Sequence, residues 1–93
     1  MYFRRRGRPP RAKRITFDYR PREFYVKNAV ESVVITFHEL EAMRLVDYEG
    51  LSLQEAASRM NVSKSTVWRL LRSGRRKVVD ALIRGKRIVV KEG

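Results

Sequence analysis

The chain has 93 residues, with 22 lysines and arginines against 10 aspartates and glutamates, and a formal net charge of +12 at pH 7. It has no cysteine and one histidine, which excludes disulfides, thiolate metal sites and cysteine nucleophiles, so we expect neither a metal site nor a cofactor. Such a charge concentrates polyanions; nucleic acid is the first candidate partner, an anionic membrane surface the second, and a well-solvated surface without a partner the third.

A chain of this length supports one domain with a small core. No apolar run approaches the roughly 18 residues that a membrane span requires. The basic N-terminus is not followed by the apolar stretch of a secretory signal. We therefore expect a cytoplasmic protein that does not associate with membranes.

Residues 1–14 are predicted to form a flexible basic arm, followed by a single domain over residues 15–93. A segment of this composition cannot bury enough apolar surface to fold by itself, and Gly7, Pro9 and Pro10 interrupt it further. The arm carries no acid, and its cations are Arg4, Arg5, Arg6, Arg8, Arg11, Lys13 and Arg14.

The run Arg6-Gly7-Arg8-Pro9 inside the arm resembles the core of an AT-hook, a short extended element that lies in narrow A·T minor grooves. Glycine permits close approach of the backbone, and arginine side chains enter the enhanced negative potential of that groove. The resemblance implies a minor-groove arm made of these four residues. General attraction to phosphates remains the alternative.

Three short β-prone patches follow, at residues 15–17, 24–26 and 33–35, and Pro21 separates the first two. Because β-branched and aromatic residues favour extended structure, we predict weak strands or extended segments there. Arg87–Lys91 has the same character and is predicted to be a short C-terminal strand.

The first predicted helix begins near Phe37. Thr36 and Glu39 have the spacing of a capping box, in which each side chain satisfies the backbone N–H of the other residue. Apolar residues then recur at helical spacing to about Tyr48, and Gly50 ends the helix.

Two further helices are predicted after Gly50. Ser52 and Glu55 form a second capping box at the start of a short helix, and Asn61, which tolerates the left-handed conformation, ends it. Ser63 caps a longer third helix that Gly85 terminates.

These elements predict a mainly α fold, a three-helix helix-turn-helix domain with a basic N-terminal arm and short N- and C-terminal β segments. Gly74 is expected to be a weak point of the third helix, because glycine lowers helix propensity.

The stretch from about residue 52 to 72 meets the packing demands of a helix-turn-helix. Ala57 is small where the helices approach, Asn61 occupies the turn position that needs positive φ, and Val62 fills the angle. An αα-hairpin in an ordinary helical core is the alternative, but the third helix has a strongly basic, acid-free run that argues against it. The cations of this run are Lys64, Arg69, Arg72, Arg75, Arg76 and Lys77.

A recognition helix presents its N-terminal turns to base edges, while flanking cations bind phosphate. Arg69 suits a bidentate contact with guanine, and the Trp68 indole suits a thymine methyl group. For Trp68, packing against the N-terminal segment or a partner subunit is the alternative. The predicted base contacts are Lys64, Ser65, Trp68 and Arg69, and the predicted phosphate contacts are Thr66, Arg72, Arg75 and Arg76.

The run Ser63-Lys64-Ser65-Thr66-Val67-Trp68-Arg69-Leu70-Leu71, with Arg75-Arg76-Lys77 after it, resembles the promoter-reading region four of sigma-70-type sigma factors. A longer set of runs from Val33 to Lys86 resembles an uncharacterised prokaryotic family of predicted DNA-binding proteins. The resemblance implies a small regulator with a helix-turn-helix like that of sigma region four. Members of that family carry a cysteine and an aromatic-Pro-Gly loop before the first helix. Residues 18–28 have neither, so no ligand or metal role is carried over to them.

The sequence therefore predicts specific binding of double-stranded DNA by a small transcriptional regulator. RNA binding and non-specific nucleoid-type binding are the alternatives, although an aromatic stacking platform for RNA is missing. Docking to RNA polymerase, as sigma region four does, is a further role that is compatible with DNA binding. Catalysis is not expected, because His38 is isolated and Glu39 and Glu41 are explained by capping and a solvated helix face.

A homodimer is expected, since helix-turn-helix proteins usually pair to span two half-sites. The apolar runs at residues 33–35 and 88–90 are the predicted contacts between subunits.

Overall fold

The computed structural model describes residues 14, 15 and 17–93. The elements of this part of the chain are β1 (Arg22–Phe24), β2 (Ser32–Thr36), α1 (Phe37–Met43) with a π-helical turn (Arg44–Tyr48), α2 (Leu53–Met60), α3 (Lys64–Arg84) and β3 (Arg87–Lys91). Most of the predicted arm, including Arg6, Gly7, Arg8 and Pro9, lies outside the described residues.

The three strands form one mixed sheet with β3 in its centre. β3 runs antiparallel to β1, with Ile88 opposite Phe24, and parallel to β2, with Ile88 opposite Val33 and Val90 opposite Ile35. A parallel pair needs a long crossover connection, and α1, α2 and α3 all lie in it. The sheet therefore joins the two ends of the helical region.

The predicted mainly α fold was wrong. The described residues form a small α/β domain, about 52% helical and 16% strand, because the β segments before and after the helices pair with each other. The same pairing occupies both edges of β3, so residues 88–90 pair with β1 and β2 of their own chain, whereas β2 has a neighbouring strand on one edge only among the described residues. A contact between subunits through residues 33–35 stays a prediction. Of the other predicted β patches, residues 24–26 contribute Phe24 to β1, and Ile15 and Phe17 lie outside the strands.

The predicted helix boundaries were confirmed by their capping contacts. The Thr36 hydroxyl accepts from the Glu39 N–H at 3.1 Å, and the Glu39 carboxylate accepts from the Thr36 N–H at 2.9 Å. Ser52 and Glu55 make the same reciprocal pair at 3.1 and 2.9 Å. Gly85 ends α3 in the left-handed conformation with φ of 67°.

Gly74 is a close-contact position between α1 and α3. It is buried, and a Cβ atom built on it would lie 2.7 Å from Cε of Met43. α3 is continuous from Lys64 to Arg84, and the absent side chain of Gly74 lets α1 and α3 approach each other closely. The expected lower helix stability at Gly74 stays a prediction. The buried cluster next to this contact consists of Ala42, Leu45, Ala56, Ala57, Met60, Val67 and Leu71.

Candidate nucleic-acid interface

α2, the turn at residues 61–63 and α3 form the α2–turn–α3 unit, which positions the predicted contact residues. Asn61 has φ of 59° and donates its N–H to the last turn of α2, and the Val62 N–H donates to the Ala57 carbonyl at 3.0 Å. Met60 and Val67 are fully buried between the helices. The direction of α3 relative to α2 is therefore set by backbone hydrogen bonds and core packing together.

The first turn of α3 carries a cluster of hydroxyl groups. The Ser63 hydroxyl accepts from the Thr66 N–H at 3.1 Å and lies 3.0 Å from the Ser65 hydroxyl and 2.9 Å from the Thr66 hydroxyl. The Arg69 guanidinium donates to the Thr66 hydroxyl at 3.3 Å. Thr66 thus lies between the helix cap and Arg69.

The four predicted base-contact residues all lie on the exposed side of α3. Lys64, Ser65 and Arg69 are exposed, and 45% of Trp68 is exposed. Residues three and four apart share a helix face, so Lys64, Trp68 and Arg72 form one row. The structure therefore brings these side chains to one surface.

Two cations of the basic run are paired with carboxylates. Arg75 binds Asp47 of the π-helical turn through two nitrogens, at 2.6 and 3.1 Å. This hydrogen-bonded pair lowers the pKa of Asp47 below its ordinary value and raises that of Arg75. Lys77 donates to Glu39 at 2.9 Å and to the Val34 carbonyl at 2.8 Å. The run is acid-free in sequence, but carboxylates of other elements reach two of its cations.

Glu39 is buried, and its predicted capping role was confirmed. Its carboxylate accepts hydrogen bonds from the Ser73 hydroxyl, the Thr36 N–H and the Lys77 ammonium. Burial acts to raise the pKa of Glu39, but these three donors outweigh it, and the pKa lies below its ordinary value.

Glu41 is also buried, with none of its surface exposed, and is not part of a solvated face. The Tyr19 hydroxyl donates to it, and Arg44 reaches the same oxygen at 3.1 and 3.2 Å. Burial first, and then the bond to Glu41, raise the pKa of the Tyr19 phenol. These contacts attach the segment before β1 to the first helix. The sequence pattern did not reveal them, because the acid and the phenol lie in different elements.

Arg14, the last residue of the predicted arm, binds the C-terminal end of α2. Its N–H donates to the Met60 carbonyl at 2.8 Å, and its guanidinium donates to the Ser58 carbonyl at 3.1 Å. The final carbonyls of a helix have no partners within the helix and carry partial negative charge, which favours a cation there. The last residue of the arm therefore lies beside the turn of the α2–turn–α3 unit. No pattern in the sequence indicates this contact, because Arg14 and Met60 lie far apart along the chain.

Metal-binding and membrane-spanning features are both missing from residues 14, 15 and 17–93. This part of the chain contains no cluster of three or more histidine, cysteine or acidic side chains placed to hold a metal ion. Among its helices, none is long and apolar enough to cross a membrane.

Comparison with known proteins places this chain in a family. Residues 2–93 match the family model described as protein of unknown function DUF134. The chain belongs to the DUF134 family. No solved structure matched the chain.

Members of this family with curated names are called UPF0251 proteins. The one from Pyrococcus furiosus is 40% identical over 90 residues, covering 91% of this chain and 83% of the relative. The one from Methanococcus vannielii is 52% identical over 67 residues, covering 72% of this chain and 52% of the relative. The one from Moorella thermoacetica is 46% identical over 92 residues, covering 92% of this chain and 60% of the relative. The chain thus spans about half the length of several of its DUF134 relatives.

Proposed function

We propose that this chain binds double-stranded DNA sequence-specifically and acts as a small transcriptional regulator. The observation that carries the proposal is the exposed face of α3, where Trp68 projects among the cations Lys64, Arg69, Arg72 and Arg76. The start of α3 is capped and its opposite face is packed in the core. A rigid helix with an exposed basic face suits the DNA major groove, which admits an α-helix.

Base edges are proposed to be contacted by the first two turns of α3, through Lys64, Ser65, Trp68 and Arg69. Arg69 suits the O6 and N7 acceptors of guanine, which accept two parallel hydrogen bonds from a guanidinium group. Its bond to Thr66 limits its rotation. We therefore assign Thr66 mainly to orienting Arg69, with a phosphate contact in addition.

Phosphates are proposed to be bound by Arg72, Arg75 and Arg76, farther along α3. Arg72 and Arg76 are exposed, and Arg75 is held in a defined direction by Asp47. Contacts of this kind set the position of a protein on the duplex and add affinity without reading sequence. The side chains next to the turn therefore read bases, and the later arginines position the protein.

The arm is proposed to follow the DNA next to the groove that α3 occupies. Arg14, the last residue of the arm, binds the C-terminal end of α2, and only the turn at residues 61–63 separates that end from α3. The cations before it, including Arg6 and Arg8, are proposed to contact the minor groove or the adjacent phosphates.

Selection from a random pool of DNA duplexes, with an RNA pool in parallel, tests the proposal. We expect the protein to select a DNA motif. Arg69→Ala is expected to relax the preference at one base pair and to lower affinity by about 5- to 150-fold, the equivalent of about 1–3 kcal/mol for one bidentate base contact. Fluorescence anisotropy with the selected duplex measures the affinity.

Arg22→Ala is the matched control, since it removes the same charge from an exposed position in β1. It is expected to leave the motif unchanged. Selection of RNA, or tight binding to DNA without any motif, would contradict sequence-specific reading by α3. An equal effect of Arg69→Ala and Arg22→Ala would show that Arg69 contributes charge alone.

A further inference from the structure

The exposed side of α3 becomes apolar in its last two turns. Val79 is 50% exposed, Leu82 74% and Ile83 76%. Tyr25 and Val26, from the segment after β1, lie beside Leu82 and are also exposed. We call these five residues the α3 apolar end.

The α3 apolar end continues the row that carries the proposed phosphate contacts. Arg72, Arg76, Val79 and Ile83 follow one another at spacings of three and four residues, which places them on one side of the helix. The opposite side packs inward through Ala81. The folding of the chain itself therefore does not require apolar side chains at 79, 82 and 83.

Charge is locally balanced around the α3 apolar end. Lys86 binds Asp80 at 2.7 Å and lies 3.8 Å from Glu31, and Arg84 lies 3.6 Å from Glu31. The first turns of α3 have exposed cations without acids of their own. Two copies of a chain with a net charge of +12 repel each other, and the paired charges reduce that repulsion here.

We propose that the α3 apolar end is the docking surface for a second copy of this chain, with the ends of the two α3 helices packed about a two-fold axis. Such an interface uses the same patch on both subunits, so Leu82 and Ile83 meet their own counterparts. The inference rests on the proposed DNA function for its geometry, but pairing itself does not depend on DNA.

The length of α3 fits a pair of DNA half-sites. Trp68 lies about 21 Å from Leu82 along the axis, at about 1.5 Å per residue. Two helices joined near Leu82 therefore hold their Trp68 residues at most about 42 Å apart, which includes the about 34–36 Å between half-sites one helical turn apart. A splay of roughly 110° between the helices gives that spacing. The basic halves then diverge into successive major grooves on one side of the duplex.

Sedimentation equilibrium of the full chain tests the pairing without DNA. At micromolar concentrations we expect twice the chain mass of 11.0 kDa for the wild type, and the single mass for Leu82→Glu/Ile83→Glu. The matched control is Val30→Glu/Tyr48→Glu, which makes the same charge change at positions that are 95% and 83% exposed; it is expected to remain a dimer. Circular dichroism checks that each variant is folded.

A wild type that stays monomeric, or a Leu82→Glu/Ile83→Glu variant that still forms dimers, overturns the inference. Loss of the dimer in the control pair as well would also overturn it, because the effect would then follow from charge and not from this surface.

Binding to selected DNA separates this inference from the proposed function. Two inverted half-sites spaced by one helical turn should bind the wild type about 100-fold more tightly than a single half-site, through the effective concentration of the second subunit. Leu82→Glu/Ile83→Glu should lose that gain and keep its affinity for the single half-site. If the protein selects a DNA motif but is monomeric, only the proposed dimer is contradicted. If it forms a dimer but selects no motif, only the proposed DNA function is contradicted.

Discussion

Cations in the basic run of α3 differ in what lies beside them. Arg75 and Lys77 are paired with Asp47 and Glu39, which come from the π-helical turn and α1, whereas Arg72 is exposed. These residues look equivalent in the sequence because the run from Lys64 to Lys77 contains no acid. A count of cations along one helix therefore overstates the net positive charge of its surface, because Asp47 and Glu39 each neutralise one of them.

Glu39 should give the protein a measurable pH dependence. Because its folded pKa lies below the ordinary value, its stabilising effect is complete above the unfolded pKa of about 4.3 and is lost as the pH falls through the folded pKa. Glu39→Gln should lower the free energy of unfolding at pH 7, and its difference from the wild type should shrink as the pH falls from about 5 toward about 3.

Urea denaturation at a series of pH values measures this difference. Glu23→Gln is the matched control, since Glu23 is exposed and should show little effect at any pH. A constant difference between Glu39→Gln and the wild type over the whole range would mean that the carboxylate is not stabilised in the folded protein.

At the level of elements, α3 combines three surfaces in one helix. Its inward side packs on α1 and α2, its first turns carry the proposed base contacts, and its last turns carry the α3 apolar end. Because side chains separated by three or four residues share a face, periodicity predicted the first two surfaces. Periodicity did not separate the third surface from the core, since an apolar residue has the same spacing whether it is buried or exposed.

The contact of Gly74 with Met43 should control the packing of α3 on α1. Gly74→Val places atoms where Cε of Met43 lies, and the overpacking should lower the free energy of unfolding by about 1–3 kcal/mol. Met43→Ala should remove the clash. The double variant should therefore lose less stability than the two single variants added together.

A double-mutant cycle measured by urea denaturation gives this coupling. Gly50→Val is not a suitable control, because Gly50 has a positive φ of 79° and any side chain strains the backbone there. Arg72→Val, at an exposed position of α3, is expected to lack coupling to Met43→Ala. Additive losses for Gly74→Val and Met43→Ala would contradict direct packing of these two positions.

At the level of the whole molecule, the sheet brings together the segments that precede and follow the three helices. β3 pairs with both β1 and β2, so the segments before and after the three helices meet on one side of the domain. Arg14 is attached separately, at the end of α2. Arg14 is thus held at the α2–turn–α3 unit, while the C-terminal strand is held in the sheet.

This arrangement predicts unequal salt dependence for cations in different parts of the chain. Replacing Arg5, Arg6 and Arg8 of the arm with glutamine should reduce the slope of log affinity against log salt concentration by up to about 2.7, at about 0.9 for each phosphate that is no longer neutralised. The charge-matched triple is Arg22, Lys27 and Lys91, which are exposed and lie on other elements than α3. Their replacement should leave the slope nearly unchanged.

Titrations with the selected duplex over a series of salt concentrations measure both slopes. Equal reductions for the two triples would mean that net charge attracts the DNA and that the arm has no particular place on it.

The sequence by itself determined the helices of this DUF134 protein. It also determined the order along α3 of the residues that are proposed to contact DNA. Capping boxes at Thr36 and Ser52 and the turn at Asn61 are local, because the hydrogen-bonding partners lie within four residues of each other. These capping hydrogen bonds form in any tertiary structure that leaves the helix ends intact. Residues such as Trp68 and Arg69 were placed on an exposed face by periodicity alone.

The tertiary structure alone decided the sheet, the buried acids and the position of Arg14. The pairing of β2 with β3, the contact of Tyr19 with Glu41 and the contact of Arg14 with Met60 each join residues from different elements. A non-local contact depends on how the whole chain closes, and the residue pattern on either side of it is compatible with several partners. The physical reason is that hydrogen bonds and burial depend on which residues are close in space, whereas sequence patterns show only which residues are close along the chain.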